Sequence, residues 1–451
     1  MERGVTHWFI ERIASWRDRP AFVWDGGQVS HAELAEACRE WSGRLSERGV
    51  GAGDVVVVEG DHSAASFSLL LALAARGAVV VPLTPQPHEI LRARCTTAGA
   101  SWVIALRDGE AAFERLPQGP QHDLLARLRA RHRAGLILFS SGSSGEPKAC
   151  LLDLDSLFEV TRTPRKGFVT AAFLLFDHIG GINTMINVLG HGGTAVVIGD
   201  RRVETVAAAI AAHGVELLPT SPTFLKMLLI SDAASRHDLS SLKLITYGTE
   251  PMPQSTLEDL HRAFPGVRLK QTYGLSELGI VPTRSRAPGS LWMQIGGEGV
   301  EHRIVDGILW VRAPTAMLGY LNAPSPFDSD GWLNTGDRVE VDGDYLKILG
   351  RDSELINVGG EKVHPSEVEG VLMAAGNIRD ATVSARANPV TGSVVVATVA
   401  LIEDEDPAAL KVRLGQFCRS RLEAHKVPML FRIAEQDLHS PRFKKIRVKQ
   451  A

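Results

Sequence analysis

The chain has 451 residues, 44% hydrophobic and 22% charged, which asks for two or three cores at roughly 150 residues per domain and excludes both a single small module and a disordered chain. Its 49 lysines and arginines against 52 aspartates and glutamates leave a formal charge of -3, so no global field draws in nucleic acid or anionic lipid, and any polyanion must be held locally. Four scattered cysteines with no CxxC pair, and a mixed, charged N-terminus with no long apolar stretch, argue against a structural zinc site, a leader or a membrane span and for a cytoplasmic protein.

In chain order, residues 31–48 carry Leu34, Ala35, Cys38, Trp41 and Leu45 at helical spacing, closed by Gly49 and Gly51. Residues 55–58 are a β-branched run, 64–75 a second apolar helix and 78–82 a buried strand. Strands separated by helices of this length predict doubly wound α/β sheets. The alternation continues through 136–139, 195–198, 216–218 and 242–246, each followed by a polar or glycine-rich turn. Open α/β sheets bind their ligands on such turns. From about Gly299 the pieces become shorter and β-rich, with hairpin signals at Asp306-Gly307 and Asp342-Gly343. Beyond a seam at 350–353 come strands at 381–384 and 393–401 and a helix at 408–422. The predicted division is therefore 1–350, doubly wound α/β sheets plus a β-rich piece, and 351–451, a smaller α+β domain.

Residues 136–148 read LILFSSGSSGEPK, an apolar strand that runs directly into two glycines and four serines and then Lys148. Small residues let backbone N–H groups wrap an anion, hydroxyls add donors, and the lysine supplies charge. Ser140, Ser141, Gly142, Ser143, Ser144, Gly145 and Lys148 thus read as a phosphate cradle. It is not the GxxxxGK[ST] loop, because Pro147 precedes the lysine and no Ser or Thr follows it.

At this loop the sequence resembles the adenylate-forming ligases, which include acyl- and aryl-CoA synthetases and the adenylation domains of peptide synthetases. Their loop, Ser/Thr-Ser/Thr-Gly-Ser/Thr-Ser/Thr-Gly-x-Pro-Lys, is matched by 140–148 at every position. QTYGLSELG at 271–279 is similar to their Tyr-Gly-x-Ser/Thr-Glu segment. By that resemblance Thr272 and Ser276 meet the α-phosphate, Tyr273 lies near adenine and Glu277 holds magnesium. WLNTGDR at 332–338 resembles their Thr-Gly-Asp segment, which gives Asp337 the ribose hydroxyls. LGRDSELINVGGEKVHPSEVE at 349–369 resembles their hinge block. There Arg351 is implied as a second ribose or phosphate contact, Ser353 as the hinge, and Gly359, Gly360 and Lys362 as the loop at the thiol-acceptor tunnel. The resemblance spans about residues 20–447 and makes 351–451 a mobile lid.

What it implies is activation of a carboxylic acid by ATP, with magnesium, and transfer of the acyl group to a thiol, either CoA or the phosphopantetheine of a free-standing carrier protein. Adenylation also needs a cation bridging the carboxylate and the α-phosphate, which the family takes from a C-terminal lysine. Here that motif is PRFKKIR at 441–447, two residues shorter than the family's and lacking its glycine. Lys445 is assigned the role, with Lys444 as competitor.

The acid pocket falls on 173–193, 220–224 and 247–250, with Asp177, His178, Gly180, Gly181, Thr184, Thr223, Gly248 and Thr249 as lining residues. His178 stands where the family often has a gating aromatic or histidine, and Gly180 and Gly181 suggest room for a ring or broad acyl group. Asp177 raises a rival reading, since a buried ammonium needs a carboxylate and peptide-synthetase domains place an aspartate nearby. Two alternatives to a CoA ligase therefore remain open: a ligase loading a carrier protein or an amine, and an idle nucleotide-binding scaffold.

Overall fold

Short β-branched runs alternating with helices build two sheets with parallel centres. The computed structural model describes residues 5–107, 109–117, 119, 121–141, 146–389, 391–439 and 445, with the Ser141 side chain excepted. The first sheet runs Arg268–Gln271, Leu244–Tyr247, Leu217–Thr220, Val169–Ala172, Thr194–Val197, Pro20–Trp24 and Gly27–Ser30. All its neighbours are parallel except the closing hairpin of the last two. The second runs Gly319–Tyr320, Pro147–Asp153, Gly135–Ser141, Val79–Leu83, Val55–Glu59, Trp102–Arg107 and Glu110–Arg115, with antiparallel pairs at both edges.

The helix Ala64–Ala75 is apolar all round, the pattern of a helix with no solvent face. It shares one buried cluster with Phe22 of the first sheet and Val56 and Val80 of the second, so it fills the space between them. The helix His31–Glu47 packs beside it. Ser30 caps that helix, its hydroxyl accepting from Glu33 N while Glu33 answers to Ser30 N, a reciprocal capping box. The N-terminal helix Val5–Ser15, the hairpin of Trp102–Arg107 and Glu110–Arg115, and the helix Asp123–Ala130 carried no strong signal in the sequence.

A third, antiparallel sheet contains both expected hairpins. Asp306 and Gly307 form a two-residue loop, both at positive φ, between Val305 and Ile308. The second turn is displaced by one residue: Asp342 still pairs with Tyr345, so Gly343 and Asp344 make the loop. Beyond it Ile378–Asn388, Gly392–Leu401 and Leu430–Ile433 form a separate three-stranded sheet. With the helices Pro365–Met373 and Pro407–Arg419 it encloses its own core, including Val368, Val383, Val399 and Leu414. No described helix is long and apolar enough to cross a membrane.

Candidate active site

The phosphate strand and the Ser276-Glu277 turn meet at one carboxylate oxygen. Ser140 is the penultimate residue of the strand Gly135–Ser141, opposite Lys148, and its hydroxyl donates to Glu277 Oε1 at 3.0 Å. Tyr320 donates to the same oxygen at 2.8 Å, and Lys148 Nζ lies 5.2 Å from the Tyr320 ring centroid. Glu277 and Ser276 sit at the tip of the hairpin Tyr273–Leu275 and Gly279–Val281. Gly142, Ser143, Ser144 and Gly145 lie outside the described residues.

Two paired strands of the third sheet, Leu333–Asp342 and Tyr345–Arg351, supply the next cluster. Asp337, 6% exposed, lies opposite Arg351 in the ladder. Arg351 Nε approaches Asp337 Oδ1 at 2.9 Å, and the Tyr273 hydroxyl donates to Oδ2 at 2.6 Å. Asp337 N donates to the Thr335 hydroxyl oxygen, and Arg351 Nη1 donates to Thr335 O, which fixes both residues to one turn. Tyr273 itself is buried in the sheet's core. Its ring is thus packed among apolar side chains, and its hydroxyl anchors Asp337.

Thr272 stands between these clusters and the 247–250 loop. Its N–H and hydroxyl both donate to Tyr247 O, at 2.8 and 3.1 Å. A side chain at Gly248 would meet the Thr272 hydroxyl oxygen at 2.6 Å, so only glycine permits this approach. Thr249 follows at φ 74, a strained conformation for a β-branched residue. Glu250 then turns inward and accepts from Thr223 N at 2.7 Å and from the Thr223 hydroxyl. Its other oxygen, Oε2, is buried without a hydrogen-bond partner among the described residues. Burial raises the carboxyl's pKa above its ordinary value, opposed by the positive charge of Lys445.

Lys445 is held by the C-terminal sheet. Its ammonium donates to Ala381 O at 2.8 Å and lies 3.6 Å from Glu369 and 3.4 Å from Asp380. It lines a cleft with Thr223, Glu250 and Pro251, between the helix Pro222–Ile230 and the C-terminal residues. The lysine chosen from sequence is therefore described beside these acids and not beside Ser140 or Glu277. Lys444 lies outside the described residues.

The acid-pocket residues separate into two groups. His178 is the N-cap of the helix Ile179–Gly190, accepting from Gly180 N at 3.2 Å, and the Thr184 hydroxyl donates to Gly180 O. Gly181 does not provide room for substrate. A Cβ there would lie 2.2 Å from Leu175 O and 3.0 Å from His62 Nε2, so the space is already filled by protein. Asp177 is 5% exposed, with the Thr84 hydroxyl 3.5 Å from its Oδ2. The wall behind it is fixed by Arg201, which binds Asp61 bidentately and donates to Phe173 O.

On the C-terminal side, Gly359 and Gly360 form a two-residue hairpin loop at φ 61 and 97, and Lys362 is exposed beside it. Ser353 is exposed in the single 3₁₀ turn that joins the third sheet to this unit. Neighbouring Asp352 is tied back to Arg338 at 2.7 Å.

Residues 9–321 match the AMP-binding enzyme family, and residues 367–444 match the AMP-binding enzyme C-terminal domain. The chain belongs to the AMP-binding enzyme family. Relatives of this AMP-binding enzyme include an indoleacetate–CoA ligase of Aromatoleum aromaticum, 28% identical, with 92% of this chain and 93% of that protein covered. A 2-succinylbenzoate–CoA ligase of Listeria monocytogenes is 23% identical, with 96% of each covered. Among solved structures, the anthranilate CoA ligase AuaEII in complex with anthranoyl-AMP superposes with a TM-score of 0.84 at 19% identity, covering 98% of this chain and 95% of that one. That likeness confirms the fold.

Two site residues of this AMP-binding enzyme escaped the motif reading. Tyr320 belongs to a two-residue strand, too short for any periodicity to reveal. Glu250 lay within the segment assigned to the pocket but had no role, because only the fold brings Thr223 beneath it.

Proposed function

We propose that the chain activates an aromatic or medium-sized carboxylic acid with ATP to an acyl-adenylate, and then transfers the acyl group to the thiol of CoA, releasing AMP and pyrophosphate. The observation that carries this reading is the meeting of Ser140, Lys148 and Glu277 at the end of the phosphate strand. The aromatic acids named in the relatives, indoleacetate and 2-succinylbenzoate, support the substrate class.

Attack of a carboxylate on the α-phosphorus develops charge on phosphoryl oxygens, so the protein contributes mainly position and counter-charge. Lys148 supplies fixed positive charge at the pyrophosphate end. Ser276 and Thr272 offer hydroxyls toward the α-phosphate, and Asp337 with Arg351 takes the ribose. Glu277 fits a magnesium ion, since a carboxylate oxygen beside hydroxyls is the hard donor set this cation prefers. When bound, the ion would neutralise phosphoryl charge. Glu277 would hold it, with its carboxylate already oriented by the Ser140 and Tyr320 hydroxyls.

Lys445 is the residue assigned to bridge the acid and the α-phosphate. With its present partners on the C-terminal unit, that role requires the unit to turn about Ser353. A further turn of the unit would exchange Lys445 for the Gly359-Gly360 loop and Lys362, which would face the acceptor thiol in the second half-reaction. Exchange of labelled pyrophosphate into ATP over a panel of acids tests the first step, and absence of exchange with every carboxylate sinks the reading. CoA consumption, measured against loading of a carrier protein and formation of an amide, identifies the acceptor.

A further inference from the structure

The segment Thr315–Asn322 ties the strand Pro147–Asp153 to the Glu277 turn like a strap. The Thr315 hydroxyl donates to Leu278 O at 2.8 Å and Met317 N to Glu277 O at 2.9 Å. Leu318 N and Leu321 N donate to Leu151 O and Ala149 O. Asn322 completes the fastening, accepting from Ala149 N and donating to Pro147 O at 3.0 Å. Within this strap one side chain reaches both charged groups of the site.

We propose that Tyr320 is the positioning residue of the site, fixing Glu277 through its hydroxyl and Lys148 through its ring. The inference rests on the ATP-dependent reading above. The hydroxyl and Ser140 converge on Oε1 of Glu277, at 2.8 and 3.0 Å. Two donors on one oxygen restrict the carboxylate's rotation, so that a bound cation would meet it in one orientation. The ammonium of Lys148, 5.2 Å from the ring centroid, is drawn to the π face. A flexible lysine is thereby restrained beside the carboxylate without a salt bridge that would neutralise it. Tyr320, on the edge strand of the second sheet, pairs with Cys150 of the neighbouring strand Pro147–Asp153, so the backbone sets its distance from the phosphate strand.

The two functions separate by substitution. Tyr320→Phe keeps the ring and removes the donor. It is expected to weaken binding of Mn²⁺ together with a non-hydrolysable ATP analogue by about tenfold, read by electron paramagnetic resonance titration, the effect of one hydrogen bond to a charged group. The magnesium requirement for pyrophosphate exchange should rise by a similar factor, with the KM for the acid unchanged. Tyr320→Leu should additionally weaken metal-free binding of the analogue. A Tyr320→Phe protein with parental metal affinity and magnesium dependence overturns the proposal, whatever its thermal stability, because loss of packing alone lowers stability without moving either. If the parent binds Mn²⁺ and the analogue no better than Glu277→Gln does, the metal reading of Glu277 is wrong and this inference falls with it. Parental metal binding without pyrophosphate exchange would instead count against the proposed reaction alone.

Discussion

The hydroxyl of Tyr273 donates to Asp337 Oδ2 at 2.6 Å, while Arg351 holds the other oxygen of the same carboxylate at 2.9 Å. The aromatic of one motif thus fixes the acid of another, 64 residues away in sequence. Burial of the Tyr273 phenol, and after it the charge of the Asp337 carboxylate, raise its pKa well above the ordinary tyrosine value, so it remains a donor.

Tyr273→Phe should loosen Asp337 without unfolding its sheet. Removing one donor from a buried charged acceptor costs about 1–3 kcal/mol. The expected outcome is an ATP KM raised by about tenfold with the acid KM unchanged, measured by initial rates with each substrate varied in turn.

Glu250 gives the protein a pH dependence of stability. Burial raises its folded-state pKa above the unfolded value, so folding favours the protonated form. The stabilisation is complete below the ordinary glutamate range and is lost as pH rises through the raised value. Glu250→Gln keeps an oxygen for the Thr223 donors and removes the titration. The Tm difference, variant minus parent, should therefore grow as pH rises from the ordinary glutamate range toward neutrality. A difference that stays constant across that range would contradict the assignment.

The two helix-start glycines should behave differently. Gly181→Ala forces a Cβ against Leu175 O at 2.2 Å, and overpacking against backbone costs about 1–3 kcal/mol or more. At Gly180 the nearest atoms are 3.4 Å away, so alanine should be tolerated. Thermal unfolding of both variants checks this, and a Gly181→Ala protein of parental stability would restore the reading of that glycine as substrate space.

The strands and the central helix were legible because burial leaves a local trace. Residues 55–58, a central strand of the second sheet, and 64–75, the helix between the two sheets, are apolar because both are buried. The phosphate, Tyr-Gly, Thr-Gly-Asp and hinge segments were legible as ordered motifs, because each keeps its residue types at fixed spacing. Pairing between them was not. Nothing in the sequence brings Tyr320 onto Glu277 or Glu250 onto Thr223, because those contacts join elements 43 and 27 residues apart through sheet order. Gly181 was legible as a missing side chain, but what fills the space depends on how Leu175 turns into the helix. The displaced hairpin at 343–344 has a similar cause, since Asp342 keeps its ladder pairing with Tyr345 and moves the turn by one residue.

Lys445 makes the last test, because its structural and chemical roles oppose each other in their controls. Its ammonium faces Glu369, 3% exposed, and Asp380 within the C-terminal unit. Lys445→Ala leaves two carboxylates there without their cation, and breaking a buried pair from one side costs about 3–5 kcal/mol. Asp380→Asn removes one acid but keeps the lysine, so it should also lower Tm while leaving adenylation intact. If Lys445 bridges the acid and the α-phosphate, Lys445→Ala should reduce acyl-AMP formation by about a hundredfold or more, the usual effect of removing one transition-state charge partner. ATP binding, and thioester formation from supplied acyl-AMP, should persist. Mass spectrometry of acyl-AMP and acyl-CoA separates the half-reactions. Full adenylation by Lys445→Ala, in a protein with lowered Tm, would reduce Lys445 to a structural ion and move the catalytic assignment to Lys444.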